Sequence, residues 1–395
     1  MSKLKLVILQ AVAVAGFLFT QPAYAQLTAA YTQPERLYND GLELYNHKKF
    51  GAAQKTFDEF IKLSPTKTLL VADAEFYGAL CALELQNSDG EYRLLTYLNN
   101  YPGNNRKNQA YFELGRYYFA DKKYKKAIPY FEKVETTPLA AAQQDEYHYK
   151  LGYSYFTKED YSKALNHLEP LSKKEGTYRS AALYYTAHIN YIKKNLQTAL
   201  DGFLKLQNDA AFKSIVPYYI SQIYYLQKKY DKVVEYSPGL LDSANTKRAP
   251  EIARLIGEAY YRTDKFSEAI PYLEKYRDKS GKADRVDHYQ LGYAYFRSGS
   301  YTKAIEEFQD ATGEDSLGQN AHYHLAASYI KLNNKKQARD EFGVASKFSY
   351  DLVIEEDALF NFANQVATYI CSLGENTTTN ASKHTNSGCT KAKAS

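Results

Sequence analysis

Apolar residues recur along this chain with the period of an α-helix, broken at short intervals by polar gaps. The phrase LGYSYF at 151–156 returns as LGRYYF at 114–119, IGEAYY at 256–261 and LGYAYF at 291–296. Each copy is followed, after a polar gap, by an aromatic and three residues later an alanine: Tyr124 and Ala127, Tyr161 and Ala164, Phe266 and Ala269, Tyr301 and Ala304. The repeating unit is therefore two elements and a turn. Its small residue stands at Gly41, Gly78, Gly115, Gly152, Ala187, Ser221, Gly257, Gly292, Ala326 and Ala363, at spacings of 34 to 37. With that residue as position 8, positions 4, 7, 8 and 11 form the apolar stripe of one amphipathic helix, and 20, 24 and 27 that of a second. Two helices joined by a few polar residues pack as an antiparallel hairpin. Small residues at 8 and 20 leave room where the helices cross, and a larger side chain there overpacks the contact by about 1 to 3 kcal/mol. A hairpin that is apolar on both sides has to stack on its neighbours, which predicts a solenoid.

Particular residues give this pattern a family likeness. The fourth unit has Leu151, Gly152, Tyr155, Ala164, Leu168 and Leu171 at positions 7, 8, 11, 20, 24 and 27; the eighth has Leu291, Gly292, Tyr295, Ala304, Phe308 and Ala311. Pro65 and Pro102 stand at position 32 of the first two units. Over roughly residues 34 to 363 the chain resembles the tetratricopeptide repeat. The resemblance implies an all-α fold, a right-handed superhelical solenoid of about nine and a half repeats, which binds other molecules in a concave groove. Looser units are the second, with Gly90 at position 20 and a helix expected to start late, the fifth, with Asn190 at 11, and the sixth, with Pro217, Ser221 and Val233. In the tenth, a first helix is expected from Ile354 to Ala363. Residues 364–395 then read as a truncated repeat and a polar, disordered tail.

The N-terminus changes the picture of where the protein works. Lys3 and Lys5, an apolar run from Leu6 to Phe19, and Ala23-Tyr24-Ala25 have the layout of a secretory signal peptide, with cleavage expected after Ala25 and a short lead over 26–33. No later segment is apolar enough to span a bilayer. The expectation is an exported protein, periplasmic or secreted, with outer-membrane association open and no transmembrane segment after cleavage. The formal charge of +5, or +3 without the two leader lysines, is too small to point to nucleic acid. Of the three cysteines, Cys81 takes a core position, and Cys371 and Cys389 are left open as a pair.

Candidate chemistry is sparse. His148, His288 and His322 occupy position 4, a packing site, and His322 and His324 are two apart, so they face different sides of a helix and do not share a metal. Paired acids such as Glu306-Glu307 read as a solvated face. Ser300-Tyr301-Thr302-Lys303 matches a hydrolase spacing by letter only, in a turn. Asn376 and Asn380 head glycosylation sequons, which matter only in a eukaryotic secretory host. No catalytic, metal or cofactor site is expected, and the protein reads as a non-enzyme. What does stand out is 40 tyrosines and no tryptophan. Positions 5, 9 and 12 make an i, i+4, i+7 stripe beside the core stripe, and the resemblance places that stripe in the groove. It holds Phe112, Tyr149, Tyr184, Tyr218, Tyr289 and Tyr323 at 5, Arg116, Tyr153 and Tyr293 at 9, and Phe119, Phe156, Tyr191, Tyr225, Tyr261 and Phe296 at 12. Position 12 is left open between groove and packing. Tyrosine combines a large contact area with a hydrogen-bonding tip. The expected partner is a protein or extended peptide, with cell-envelope assembly or maintenance as the setting. A glycan, in polysaccharide export, is the alternative.

Overall fold

The computed structural model describes residues 33–64, 66, 68–242 and 248–377. The expected leader and lead over 1–32, Pro65, Asn380, Cys389 and the tail after 377 lie outside the described residues, as does the side chain of Cys371. All regular structure among them is helical. The chain divides into two compact units, Met1–Tyr185 and Thr186–Ser395.

In the first unit four hairpins follow one another: α1 (Gln33–Asn46) with α2 (Phe50–Leu63), α3 (Leu69–Glu84) with α4 (Gly90–Asn100), α5 (Lys107–Ala120) with α6 (Tyr124–Phe131), and α7 (Ala141–Thr157) with α8 (Tyr161–Lys173). Helix α9 (Arg179–Ile192) begins in the first unit and ends in the second. The second unit continues with α10 (Leu196–Leu206), then α11 (Val216–Leu226) with α12 (Tyr230–Tyr236) and the short α13 (Pro238–Asp242). Next come α14 (Ala249–Arg262) with α15 (Phe266–Ser280), α16 (Arg285–Arg297) with α17 (Tyr301–Ala311), and α18 (Ser316–Lys331) with α19 (Lys335–Ala345). Helix α20 (Leu352–Thr377) closes the described chain. First helices of successive hairpins also touch one another: α1, α3, α5 and α7 in the first unit, α11 and α14, and α16, α18 and α20 in the second. Each such series presents one face.

The hairpins close on a knob that stands sixteen residues after the small residue of position 8. A Cβ added at Gly41, Gly115, Gly152, Gly257 or Gly292 would lie 2.7, 2.6, 2.7, 2.7 or 2.9 Å from Phe57, Phe131, Leu168, Leu273 or Phe308. Real Cβ atoms do not come that close, so a side chain at these glycines would force the knob or its helix to shift. The sixth unit solves the same contact differently. Ser221 replaces the glycine and Ser237 the knob, and the Ser237 hydroxyl donates to Ser221 Oγ at 2.8 Å while Ser221 donates to the Pro217 carbonyl at 2.9 Å. Both serines are fully buried and neither is left unpaired. Position 20 is equally tight: Ala53, Ala127, Ala164, Ala199, Ala269, Ala304 and Ala338 are completely buried. Gly90 takes this position in the second unit, and α4 begins on it, later than the other second helices.

Every turn between the two helices of a hairpin uses one residue in the left-handed region. These are Lys48, Gln86, Lys122, Glu159, Lys194, Lys228, Asp264, Gly299 and Asn333, all with φ between 56° and 80°. The geometry ends the first helix by returning amides to its last turn, as Lys123 N donates to the Tyr118 carbonyl at 2.9 Å and Lys122 N to that of Phe119 at 3.0 Å. For a residue with a Cβ this conformation costs roughly 1 kcal/mol or more, a cost that polar, unbranched side chains carry here in eight of nine turns. The same rule accounts for a departure at the end of the array. The turn position of the tenth unit is Ile370, and a β-branched residue is a genuine outlier in the left-handed region. Accordingly α20 does not stop near Ala363 but runs on to Thr377.

Candidate functional site

The face shared by α1, α3, α5 and α7 carries a cavity of about 400 Å³. Tyr45, Glu84, Glu113, Arg116, Tyr117 and Lys150 are among its walls. Arg116 Nη1 donates to Glu113 Oε2 at 2.8 Å and its Nε to Glu146 Oε1 at 2.8 Å, so α5 and α7 are bridged by one guanidinium. Lys150 Nζ lies 2.6 Å from Glu146 Oε1 and 5.3 Å from the centre of the Phe119 ring. Burial pushes the Glu113 carboxyl above its ordinary range, and Arg116 offsets only part of that rise. Glu146 goes the other way: burial opposes it, but Lys150 and Arg116 together hold it below the usual carboxylate range. Burial also works against the Arg116 charge, which Glu113 and Glu146 more than restore.

Beside this network lies an aromatic cluster centred on Tyr153. Phe119, Tyr124 and Tyr185 meet its ring edge-on at 5.6, 5.1 and 4.9 Å, and Tyr149 stacks at 6.2 Å. Tyr149 stacks in turn on Tyr178 at 4.8 Å, and Phe156 leans on Tyr185 at 4.9 Å. Edge-to-face and offset contacts of this kind contribute about 0.5 to 1.5 kcal/mol each beyond area burial. The Tyr153 hydroxyl lies near enough to those of Tyr124 and Tyr185 that, after burial, it raises both phenols. Burial first, and then the Tyr153 and Tyr149 hydroxyls, push the Tyr185 phenol well above its ordinary range.

The second unit contains a cluster at the same repeat positions, centred on Tyr293. Tyr261 and Phe266 meet it edge-on at 5.9 and 5.6 Å, and Tyr289 stacks at 6.3 Å. Where the first cluster has Tyr185, this one has His324, 5.0 Å from Tyr293, 5.7 Å from Phe296 and 5.9 Å from Tyr289. Phe266 replaces Tyr124, so neither neighbour offers a hydroxyl. The Tyr293 hydroxyl is taken by Arg297 Nη1 at 3.0 Å instead, and that guanidinium lies 4.6 Å over the Phe266 ring. Burial pushes the His324 imidazole down to about 4, against a smaller opposing pull from the backbone of Asn320.

The stripe expected to line a groove is thus only partly on the surface. Phe112 is not: it is 1% exposed and packs on the Phe131 knob at 6.2 Å. Position 5 rings lean on the position 24 knob, as Tyr289 does on Phe308 and Tyr323 on Phe342, both at 5.7 Å. Tyrosine needs its hydroxyl near water or a partner, whereas phenylalanine has nothing to hold it at the surface and sinks. Tyr149, Tyr153, Tyr184, Tyr218, Tyr289, Tyr293 and Tyr323 are all half-buried. Tyr184 meets Tyr185 edge-on at 5.2 Å, and Tyr218 lies under the Arg248 guanidinium at 4.5 Å. The Tyr323 hydroxyl donates to Asp357, and burial followed by that bond pushes its phenol up to about 12. Of the position 12 rings, Phe119 and Phe156 belong to the first cluster, and Tyr261 and Phe296 to the second.

Sequence reasoning did not select Glu113, Lys150, Tyr185 and His324, which all stand at position 6, between the two stripes. Widening the stripe by one residue would have found them. The histidines of position 4 meet position 23 of their own hairpin. His288 Nδ1 lies 2.8 Å from Glu307 and His322 Nδ1 2.6 Å from Glu341, while His148 Nδ1 faces His167 Nδ1 at 3.0 Å. Cys81 is fully buried, and burial pushes its thiol up to about 12. No helix among the described residues is long and apolar enough to cross a membrane.

Comparison with known proteins bears on the repeats themselves. Residues 109–136 and 149–211 each match a family model described as tetratricopeptide repeat, and residues 264–345 match one described as anaphase-promoting complex, cyclosome, subunit 3. Among curated proteins, the chain is similar to the signal recognition particle receptor FtsY of Aquifex aeolicus (strain VF5), 34% identical over 118 residues, which are 29% of this chain and 23% of that protein. The chain thus spans under a quarter of that relative's length. Among solved structures, similar folds include the apo form of RapI (TM-score 0.42, 16% identity, 86% of this chain and 99% of that one). Another is a tetratricopeptide repeat protein from Parabacteroides merdae ATCC 43184 (TM-score 0.31, 12% identity, 74% and 98%). TM-scores this low have no bearing on how the helices of this chain pack.

Proposed function

Taking as premise that this chain is a tetratricopeptide-repeat protein, we propose that it is a non-enzymatic exported scaffold that holds extended peptide or protein segments on the faces that the first helices present within each unit. The observation that carries this reading is the half-buried tyrosine stripe, Tyr149 and Tyr153 in the first unit and Tyr289 and Tyr293 in the second. Rings wedged between neighbours lose little conformational freedom when a ligand arrives, which suits them to recognition. Export is supported by the N-terminal residues, Lys3 and Lys5, the apolar run to Phe19 and Ala23-Tyr24-Ala25. Such a scaffold would serve assembly or maintenance of the cell envelope. A glycan ligand finds no support, because sugar stacking needs open ring faces, and Tyr149 already stacks on Tyr178 while Tyr153 is met edge-on from three sides.

The test places a photo-crosslinking amino acid at Tyr149 and, separately, at Tyr289 of the chain expressed in a bacterial host, followed by mass spectrometry of the adducts. The expected result is a protein adduct recovered from the envelope fraction, on a chain whose N-terminus is Gln26. A chain that stays in the cytoplasm overturns the export part, and the absence of any protein adduct at both sites overturns the scaffold reading.

A further inference from the structure

We infer that the cavity on α1, α3, α5 and α7 receives a basic side chain, lysine or arginine, from the bound segment, an inference that rests on the reading of this face as the binding surface. Its walls bring three carboxylates, Glu84, Glu113 and Asp121, the last already paired with Lys123 Nζ at 2.6 Å, against two cations, Arg116 and Lys150. Both cations are already engaged. Arg116 spends its Nη1 and Nε on Glu113 and Glu146, and Lys150 is 2.6 Å from Glu146. An entering carboxylate or phosphate would have to break these pairs in a partly desolvated site. An entering cation breaks none.

Glu113 is the group such a cation would relieve. Its side chain is 13% exposed, and among the described residues only one of its oxygens has a partner, Arg116 Nη1 at 2.8 Å. Burial keeps its charge costly even with Arg116 beside it, so a second positive charge lowers the cost of holding it ionised. Tyr45, on α1, reports the same field: its phenol is pushed up to about 12 by burial first and then by the Glu113 charge. The rings of Tyr45 and Tyr117 also line the cavity and supply the aromatic surface on which a guanidinium or ammonium rests. A space of about 400 Å³ admits one long side chain and a few waters. The charge balance selects a basic one. The neighbouring Tyr153 cluster is built of rings, so the two parts of the face divide the work, one gripping by apolar area and the other choosing by charge.

The experiment uses the chain from Gln26 to Ser395 and three N-acetylated hexapeptide libraries that differ only in one fixed residue, arginine, norleucine or glutamate, read by competition against a fluorescent library mixture. The expected result is at least tenfold tighter binding of the arginine library than of the other two, with the preference reduced severalfold by Glu113→Gln. Glu84→Gln, at an exposed position where folding is not at risk, is expected to reduce it by a smaller factor. Equal binding of the arginine and norleucine libraries overturns this inference and leaves the scaffold reading standing, as does an arginine preference that neither variant changes. Failure of all three libraries to bind overturns both.

Discussion

The Tyr153 and Tyr293 clusters are built from the same repeat positions, yet they satisfy their central tyrosine in opposite ways. In the first unit Tyr124 and Tyr185 bring phenol rings against Tyr153, and the cluster is closed by uncharged rings alone. In the second, Phe266 and His324 stand at those places and Arg297 reaches in from the solvent side to the Tyr293 hydroxyl. The underlying knobs differ too: Leu168 lies beneath Gly152 and Phe308 beneath Gly292. A repeat scaffold fixes where rings gather, while single substitutions decide whether the gathering place is neutral, titratable or charged.

The largest test of this contrast removes the knobs. Phe308→Ala is expected to cost about 3 to 5 kcal/mol, and Leu168→Ala to fall near the lower end of about 2 to 5 kcal/mol. Phe308 also carries the rings of Tyr289 and His324, both at 5.7 Å. Urea unfolding, with hydrogen exchange resolving α16 from α7, measures both. An equal or greater loss at Leu168 would break the idea that the second cluster hangs on its knob.

A middle-sized effect should separate the clusters by pH. Unfolded, the His324 imidazole takes a proton near its ordinary value of 6.5; folded, it does so only near 4. Between these values the unfolded state holds more protons, so stability falls as pH drops from 6.5 towards 4, by about 2 to 3 kcal/mol in all. His324→Tyr should flatten that slope for α16 to α18, and Tyr185→His should introduce one in the first unit, above the contribution of His167, which burial likewise pushes down to about 4. Thermal melts at pH 7, 5.5 and 4.5 read the difference. Unchanged slopes in both variants would show that His324 is not held neutral by its ring neighbours.

The smallest expected effect lies in the turns. Glu159 and Gly299 occupy the same left-handed position, at φ 64° and 80°. Glu159→Gly is expected to stabilise by about 0.5 to 1 kcal/mol and Gly299→Ala to destabilise by about 1 kcal/mol or slightly more, as the left-handed backbone costs a residue with a Cβ. Chemical denaturation of the two variants checks the pair, and a stabilised Gly299→Ala would rule out the strain account.

Much of the fold was legible in the residues. Gly or Ala at position 8, Ala at 20 and the knob sixteen residues on are dictated by how closely two helices cross, and the contact at Gly292 and Phe308 is the same as that at Gly115 and Phe131. The turns were less so, because left-handed residues are usually read from glycine, and here lysine, glutamine, glutamate, aspartate and asparagine take that place in eight turns. Ile370 was visible at the last turn position, but its meaning lay in what it forbids, and so the extension of α20 to Thr377 escaped notice. Within the candidate site, helical spacing put Tyr149, Tyr153, Tyr289 and Tyr293 on one stripe of their helices, and only the resemblance put that stripe in a groove. Phe112 was misplaced because spacing fixes a direction, not a depth.

By itself, then, the sequence determined the helices, their pairing in hairpins and the stripe on which the rings stand, because these depend on residues within one unit of 34 to 37. Only the tertiary structure decided which groups meet across units: Arg116 with Glu146, thirty residues apart, Tyr153 with Tyr185, and the wall of carboxylates around the first-unit cavity. The physical reason is that helical periodicity sets the angle at which a side chain leaves its axis, whereas burial, ion pairing and shifted ionisation depend on the size and charge of the neighbour that the stacking brings against it.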